Sequence, residues 1–491
     1  MDTALQAIDF IGVRNTGSTP AASTKYDRAV DSARYNNYEG GVMSLHAQWS
    51  TRLAFMLAAI GSAVGLGNVW KFPYITGENG GGAFVLVYLL CIALIGIPVM
   101  IAEVMLGRRA QRSPISTMQV LAKEQGASGF WQIIGWSGVF AGFLILSFYS
   151  VIAGWAMAYV IESASGTFNA ISGDGSGDVF GGLIGDPQRL MIWHTLFMIM
   201  TVAVVARGVR AGIEKLVVIL MPLLLVMLLI LVAYAFNSGE FGRGLAYLFS
   251  FDFSKLSTDS IIVAMGHAFF TLSLGMGAIM VYGSYMQKNT SIGSSVLMIA
   301  IADTVVALLA GLAIFPLVFA NGLEPGAGPG LVFVTLPTAF GAMPGGQFFG
   351  TVFFVLLVVA AWSSAISLVE PAVAWLSERD IMSRAKASWM IGLFSWILGI
   401  GTVLSFNLWS GDEYKVMGKT FFDLKDYLAS NIMLPLGGLL IALFVGWAAK
   451  ASMSKEELNL SRGSFNLFWL AIRFVAPLGV AIIFLNAVGL L

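Results

Sequence analysis

The sequence predicts an all-α membrane protein with eleven transmembrane helices, and three observations carry that expectation. Of its 491 residues, 57% are hydrophobic and only 11% are charged, too apolar a balance for a soluble chain of this length. Runs long enough to cross a bilayer at about 20 residues each fall at 53–75, 83–106, 130–163, 188–206, 214–237, 261–286, 294–320, 347–377, 387–408, 430–449 and 465–490. The first and sixth runs are broken by glycines in matching places, "IGSAVGLGNVWKFPY" and "GHAFFTLSLGMGAIMVY".

Residues 1–45 precede the first run and are mixed and polar, without the short apolar core near the start that a cleavable signal peptide needs. They read as a disordered cytoplasmic tail, a regulatory contact being the less favoured alternative. The segments "FGRGLAYLFSFDFSKLS" and "NGLEPGAGPGLVFVTLPTAFGAMPGG" are too interrupted to span and predict external loops with short helices. With the amino terminus inside, Arg108, Arg109, Arg112, Arg207, Arg210, Lys215, Arg379, Arg384 and Lys386 fall on the cytoplasmic side. Lys71, Arg189, Arg243, Lys255, Lys415, Lys419 and Lys425 fall outside, and this excess of basic residues inside sets the orientation. An odd number of helices then puts the carboxyl terminus outside.

Gly61, Gly65 and Gly67, followed by Asn68, loosen a helix ladder where no water repairs it. The sixth run loosens likewise at Ser273-Leu274-Gly275-Met276-Gly277. Glycines in membrane helices often serve only close packing. Two matching breaks five helices apart, each beside polar residues (Asn68; Thr271 and Ser273), point instead to an inverted-repeat secondary transporter with its site at the midplane. Freed N–H groups there suit an anion and unwound carbonyls suit a cation.

Ionisable groups at membrane depth mark function, and Glu103, His267, Asp303 and Glu370 qualify, with His194 and Arg473 as weaker cases. Asp303, alone in "MIAIADTVVALLAG", must be protonated, paired or metal-bound; cation coordination is the first reading and a proton-carrying acid the second. Ser363 and Ser364 in "VVAAWSSAISLVEPAV" offer hydroxyls to a hard monovalent cation, or bond back to their own helix. Glu370 can serve the backbone freed by Pro371 and is assigned no part in transport. His267 is expected to be a hydrogen-bonded core histidine rather than a metal ligand.

Other classes find no foothold. The 27 basic and 27 acidic residues leave no basic field for nucleic acid, and the single cysteine, Cys91, excludes an intrachain disulfide or a cysteine-based zinc site. The sequence holds no HExxH, GxxxxGK[ST] or GxSxG, so an enzyme is not expected and an ion gradient must supply transport energy. Two alternatives remain open: a sensor that binds an amino acid without net transport, and a cation channel filtered by Asp303 and the serines.

"WSTRLAFMLAAIGSAVGLGNVWKFPY", "ENGGGAF", "GIPVMIAEVMLGR", "FFTLSLGMGA" and "SSAISLVEP" resemble the neurotransmitter:sodium symporter family in its bacterial amino-acid branch, over about residues 46–490. The resemblance implies a core of two inverted five-helix repeats (46–460) with helices one and six unwound, an eleventh helix (461–491), a bacterial inner membrane and alternating access. One sodium site would use Ala63, Asn68, Thr271, Asp303 and the substrate carboxylate; the other Gly61, Val64, Ala360, Ser363 and Ser364. The substrate carboxylate would meet Leu66, Gly67 and Tyr149, its amino group Ala63, Phe270, Thr271 and Ser273, and its side chain Ile145, Tyr149, Phe270, Met276, Ser364 and Leu368. Gly65, where monoamine carriers have an aspartate, leaves room for the substrate's own carboxylate and so implies an amino acid, favoured as hydrophobic or aromatic by the apolar walls.

Several positions depart from the family pattern. Lys71 replaces the outer-gate arginine and is expected to pair with Asp426, and His46, near Glu378, replaces the inner one. At the family's chloride site, Tyr88 remains but His267, Asp303 and Ala307 replace the usual glutamine, asparagine and serine; the fixed carboxylate implies that no chloride is required. Glu103 matches a glutamate that supports the unwound part of helix six. Trp362, beside Ala361, replaces a smaller residue without an evident reason.

Overall fold

The computed structural model describes residues 48–325 and 330–487; the expected tail and His46 lie outside the described residues. Among those residues nine helices are long and apolar enough to cross a membrane, or ten if one pair bent by 46° forms a single span. In chain order the principal helices are α1 (Arg52–Ala63), α2 (Gly67–Glu78), α3 (Gly82–Ala110), α4 (Gly129–Ala164), α5 (Pro187–Ala206), α6 (Val209–Phe236), α7 (Thr258–Thr271), α8 (Ala278–Ser284), α9 (Ile292–Ala320), α10 (Gly346–Glu378), α11 (Arg384–Leu404), α12 (Phe421–Ala448) and α13 (Arg462–Ile482). The bent pair is α1 and α2. The sixth apolar run is divided between α7 and α8, each too short to count as a span by itself.

Local chemistry places the helix starts. Thr51 caps α1 by accepting from the Ala54 N–H at 3.1 Å, and Asp186 caps α5 by accepting from the Gln188 and Arg189 N–H groups, with Pro187 in the first turn. Ser257 and Ser260 form a reciprocal capping box at α7. Thr420 and Asp423 do the same for α12, which begins nine residues before the expected 430. Its first two turns carry Asp423, Lys425 and Asp426, and that charge hides the start of the helix from an apolar-run criterion. The two interrupted segments hold the short helices Phe241–Phe249 and Leu331–Ala342.

α4 and α10 pack along each other through the centre and bury most of their length. Their backbones approach so closely that a Cβ at Gly142 would lie 3.0 Å from the Leu368 carbonyl oxygen. Around them, α6 exposes Val218, Ile219, Leu223, Val226 and Leu229, and α13 exposes Leu467, Leu470, Phe474 and Leu478. Apolar faces this long have no place against water; they are the surface a bilayer covers.

Candidate functional site

The two helix breaks meet at the centre, and side chains satisfy the backbone that each one frees. At Val64 the chain leaves the helix (φ −72°, ψ 102°). The Gly65 N–H then donates to Asn68 Oδ1 at 3.1 Å and the Leu66 N–H to the Tyr149 hydroxyl at 3.0 Å. Three carbonyls of the same turn accept from hydroxyls: Gly61 and Val64 from Ser364 Oγ at 3.2 and 3.3 Å, and Ser62 from Ser273 Oγ at 2.8 Å. Buried backbone groups in hydrocarbon require this accounting.

The second break, residues 272–277, takes left-handed backbone at Ser273 (φ 55°), Gly275 (φ 78°) and Gly277 (φ 74°). Glycine is required at 275, where a side chain would run into the Leu434 carbonyl oxygen. The Gly275 N–H donates to Glu103 Oε1 at 2.6 Å, so a fully buried carboxyl from α3 props the unwound segment.

Two oxygen clusters flank the breaks. In one, the buried Asp303 carboxylate of α9 accepts from Asn68 Nδ2 at 2.8 Å and from Thr271 Oγ1 at 3.1 Å on each oxygen. Asn68 Nδ2 also reaches the Asp303 carbonyl at 3.1 Å. In the other, Ser363 Oγ donates to the Ala360 carbonyl at 3.0 Å, while Ser364 bridges to Gly61 and Val64. Among the described residues no three of His, Cys, Asp and Glu converge, so cation-coordinating capacity rests on carbonyls, hydroxyls and the single carboxylate of Asp303.

Between the clusters lies a narrow cavity of about 20 Å³ lined by Ser62, Ala63, Gly65, Gly67, Ile145, Tyr149, Phe270, Ser273, Met276, Ser364, Ser367 and Leu368. Its described lining carries no formal charge. Ile145, Phe270, Met276 and Leu368 give it apolar walls, and five hydroxyls give it a polar side. Ser62 and Ser367, joined at 2.8 Å, were not singled out by sequence reasoning. Ser367 stands one helical turn beyond Ser363 and Ser364, a spacing that puts all three on neighbouring parts of one face.

On one side of the cavity Lys71 Nζ lies 3.4 Å from both Asp426 carboxylate oxygens and 4.8 Å from the centre of the Phe270 ring. The Lys71–Asp426 pairing is present as expected. Glu378 accepts from the Ser113 N–H at 2.9 Å and from its hydroxyl at 2.7 Å, while its expected neighbour His46 is not among the described residues. Trp49, just before α1, donates through Nε1 to the Tyr282 carbonyl at 3.0 Å and packs edge-on against Tyr282 and Tyr285.

Three expectations change. Glu370 does not serve the backbone around Pro371: it is fully buried, pairs with Arg384 and accepts from the Tyr285 hydroxyl, because two donors from other helices satisfy a buried carboxylate better than one turn of backbone. His267 packs against Phe72 and Tyr88, with ring centres 6.0 and 5.4 Å away, and neither ring nitrogen has a hydrogen-bond partner among the described residues. Lys425, counted among the outside basic residues, is 4% exposed. Ala307 is buried on α9, and nothing in the structure explains Trp362.

A helical membrane protein with two broken helices around an uncharged cavity, flanked by oxygen clusters suited to a hard cation, has the architecture of an ion-coupled transporter. The chain belongs to the sodium:neurotransmitter symporter family, whose model matches residues 46–170 and 183–490. It is 40% identical over 452 residues to the sodium-dependent transporter YhdH of Bacillus subtilis, covering 90% of this chain and 98% of that one. A sodium-dependent transporter of Haemophilus influenzae is 35% identical, over 89% of this chain and 97% of its own. Among solved structures it is similar to MhsT in complex with L-phenylalanine, at a TM-score of 0.84 and 46% identity, covering 90% of this chain and all of that one. The family is one of sodium-coupled membrane transporters, not of enzymes.

Proposed function

We propose that this protein imports an amino acid with an apolar or aromatic side chain, L-phenylalanine being the first candidate, by sodium symport. One observation carries the reading: the cavity at the two breaks is uncharged, and Gly65 faces it with no room for a side chain, since a Cβ there would overlap Ser364 Oγ and lie 2.6 Å from the Tyr149 hydroxyl. A zwitterion matches such a cavity, because its carboxylate takes the Leu66 and Gly67 N–H groups and the Tyr149 hydroxyl, while its ammonium takes the Ala63, Phe270 and Thr271 carbonyls and Ser273. The phenylalanine bound by MhsT supports the side-chain preference, as do Ile145, Met276 and Leu368 on the apolar wall.

In this reading one sodium ion joins Ala63, Asn68, Thr271, Asp303 and the substrate carboxylate. A second joins the Gly61, Val64 and Ala360 carbonyls and the hydroxyls of Ser363 and Ser364. The Asp303 carboxylate makes chloride unnecessary. Lys71, Asp426, Tyr149 and Phe270 form the outer closure of an alternating-access cycle in which sodium and substrate favour the occluded state over the open one. α7 and α8 are two halves of one unwound span, which brings the count to eleven helices: two inverted five-helix repeats within 46–460, plus the helix of 461–491. The amino terminus faces the cytoplasm, the carboxyl terminus the outside, and the membrane is a bacterial inner membrane.

The test is uptake of labelled amino acids by proteoliposomes without chloride, with an inward sodium gradient and with potassium in its place. Uptake of one or a few apolar amino acids in sodium alone is expected. Sodium-dependent binding without accumulation would overturn symport, and equal uptake in potassium would overturn the coupling.

A further inference from the structure

Lys425 lies in the second turn of α12, immediately before the gate residue Asp426, yet it makes no ion pair among the described residues. Its ammonium donates to Ser147 Oγ on α4 at 3.1 Å, and on α11 to Thr402 Oγ1 at 2.8 Å and the Leu398 carbonyl at 2.5 Å. The Phe421 ring covers it, with the nitrogen 4.5 Å from the ring centre. Three N–H donors meet three neutral acceptors, the full complement of an ammonium. Of the other ionisable groups around it, His194 of α5 is turned to the Trp396 carbonyl at 3.2 Å. Asp423 closes the capping box, and Asp426 takes Lys71 and the Ser430 hydroxyl.

A buried cation without a counter-ion is costly, and a leucine or methionine would fill a helix interior without that cost. What the ammonium adds is a three-point tie between α12, α4 and α11. Its place matters because beyond Asp426 the helix opens into a widened π-type turn, Tyr427–Met433, a loose form of helix. On its carboxyl-terminal side Asp426 has the Ser430 hydroxyl, and on its amino-terminal side the helix is fixed by the Thr420 cap and by Lys425. The tie on α4 is Ser147, midway between Ile145 and Tyr149, both of which line the cavity.

We propose that Lys425 is a positioning residue of the outer gate: by clamping the start of α12 to α4 and α11 it holds the Asp426 carboxylate against Lys71 and joins gate closure to the helix that lines the cavity. The proposal rests on the symport reading, in which Lys71 and Asp426 close over a bound amino acid. Loss of the clamp then lets the gate open more often while leaving the cavity intact.

The experiment measures dissociation of tritiated L-phenylalanine from the purified full-length transporter in sodium, after dilution into unlabelled L-phenylalanine. Asp426→Asn and Lys425→Met are each expected to speed dissociation by about tenfold, the scale of one lost hydrogen bond to a charged group. The double variant should dissociate no faster than the quicker single one, because both changes act through the same contact. Multiplying effects would show Lys425 to be merely structural and would overturn the proposal. Thr402→Val removes one acceptor at nearly constant volume and should speed dissociation a few-fold with unchanged thermal unfolding, which keeps the test open if Lys425→Met folds poorly. A wild-type dissociation rate in well-folded Lys425→Met would also overturn it. Absence of sodium-dependent L-phenylalanine binding by the wild type would instead overturn the reading beneath it.

Discussion

The two oxygen clusters beside the cavity draw on the same turn of broken helix but differ in kind. Around Asp303 the oxygens include an ionisable carboxyl group, held in place by Asn68 and Thr271 and wholly buried. Around Ser363 and Ser364 every oxygen is neutral, and the hydroxyls already donate to the carbonyls beside them. A cation arriving at the first cluster neutralises a charge that is expensive to keep in hydrocarbon. One arriving at the second must turn two hydroxyls away from carbonyl acceptors that it then shares. In the proposed symport reading the first is electrostatically preorganised for sodium, while the second exchanges one satisfied arrangement for another.

The harshest way to break this comparison is at the residue between the clusters. Gly65 donates its N–H to Asn68 of the charged cluster while its Cα faces Ser364 of the neutral one. Gly65→Asp is expected to reduce amino-acid uptake at least 100-fold at normal expression, because it crowds Ser364 and sets a second carboxylate against the substrate's own in a low-dielectric site. Initial uptake rates measure it, and wild-type uptake would show the binding pose to be wrong. Asp303→Asn acts on the charged cluster alone. Its expected effect is about a tenfold rise in the sodium concentration for half-maximal uptake in chloride-free medium, partly reversed by adding chloride. Sodium dependence unchanged with or without chloride would remove the distinction between the clusters.

The charged cluster was the more legible of the two in the sequence, for the same physical reason. Asn68, Thr271 and Asp303 are polar residues in otherwise apolar helices, and each needs a partner that the hydrocarbon cannot supply. Serine gives no such signal, because it can satisfy itself on its own helix; Ser363 and Ser364 stand out as an adjacent pair, whereas the isolated Ser62 and Ser367 do not. Glu370 was visible as a buried carboxylate, but its partner Arg384 is separated from it by a loop, outside any helical spacing. The burial of Lys425 has no sign in the sequence, since a lysine at the edge of an apolar run ordinarily snorkels to the interface. Only the packing of α4 and α11 around it supplies the three acceptors that keep it inside. Most helices were legible as apolar runs, and the start of α12 was lost where charged residues fall in its first two turns.

Ser364→Ala sharpens the comparison from the neutral side. It removes one uncharged oxygen and two hydroxyl–carbonyl contacts, a loss of about 1 kcal/mol, so the half-saturating sodium concentration should rise only a few-fold. Chloride should not restore it, since no charge has been removed. Recovery by chloride in this variant would mean that the two clusters share one electrostatic role.

The smallest expected effect lies outside both clusters, at Lys71. Its ammonium reaches both Asp426 oxygens at 3.4 Å, a long and partly exposed contact in which screening by water limits the strength. Lys71→Arg supplies a planar fork that can take the two oxygens in parallel, and the guanidinium can lie on the Phe270 ring as the ammonium does now. Dissociation of bound amino acid should slow by about two- to threefold, with the sodium dependence set by the clusters unchanged. If the half-saturating sodium concentration moved as far in Lys71→Arg as in Ser364→Ala, the gate and the neutral cluster would be one coupled unit, and the division between an ion site and a separate door above it would fail.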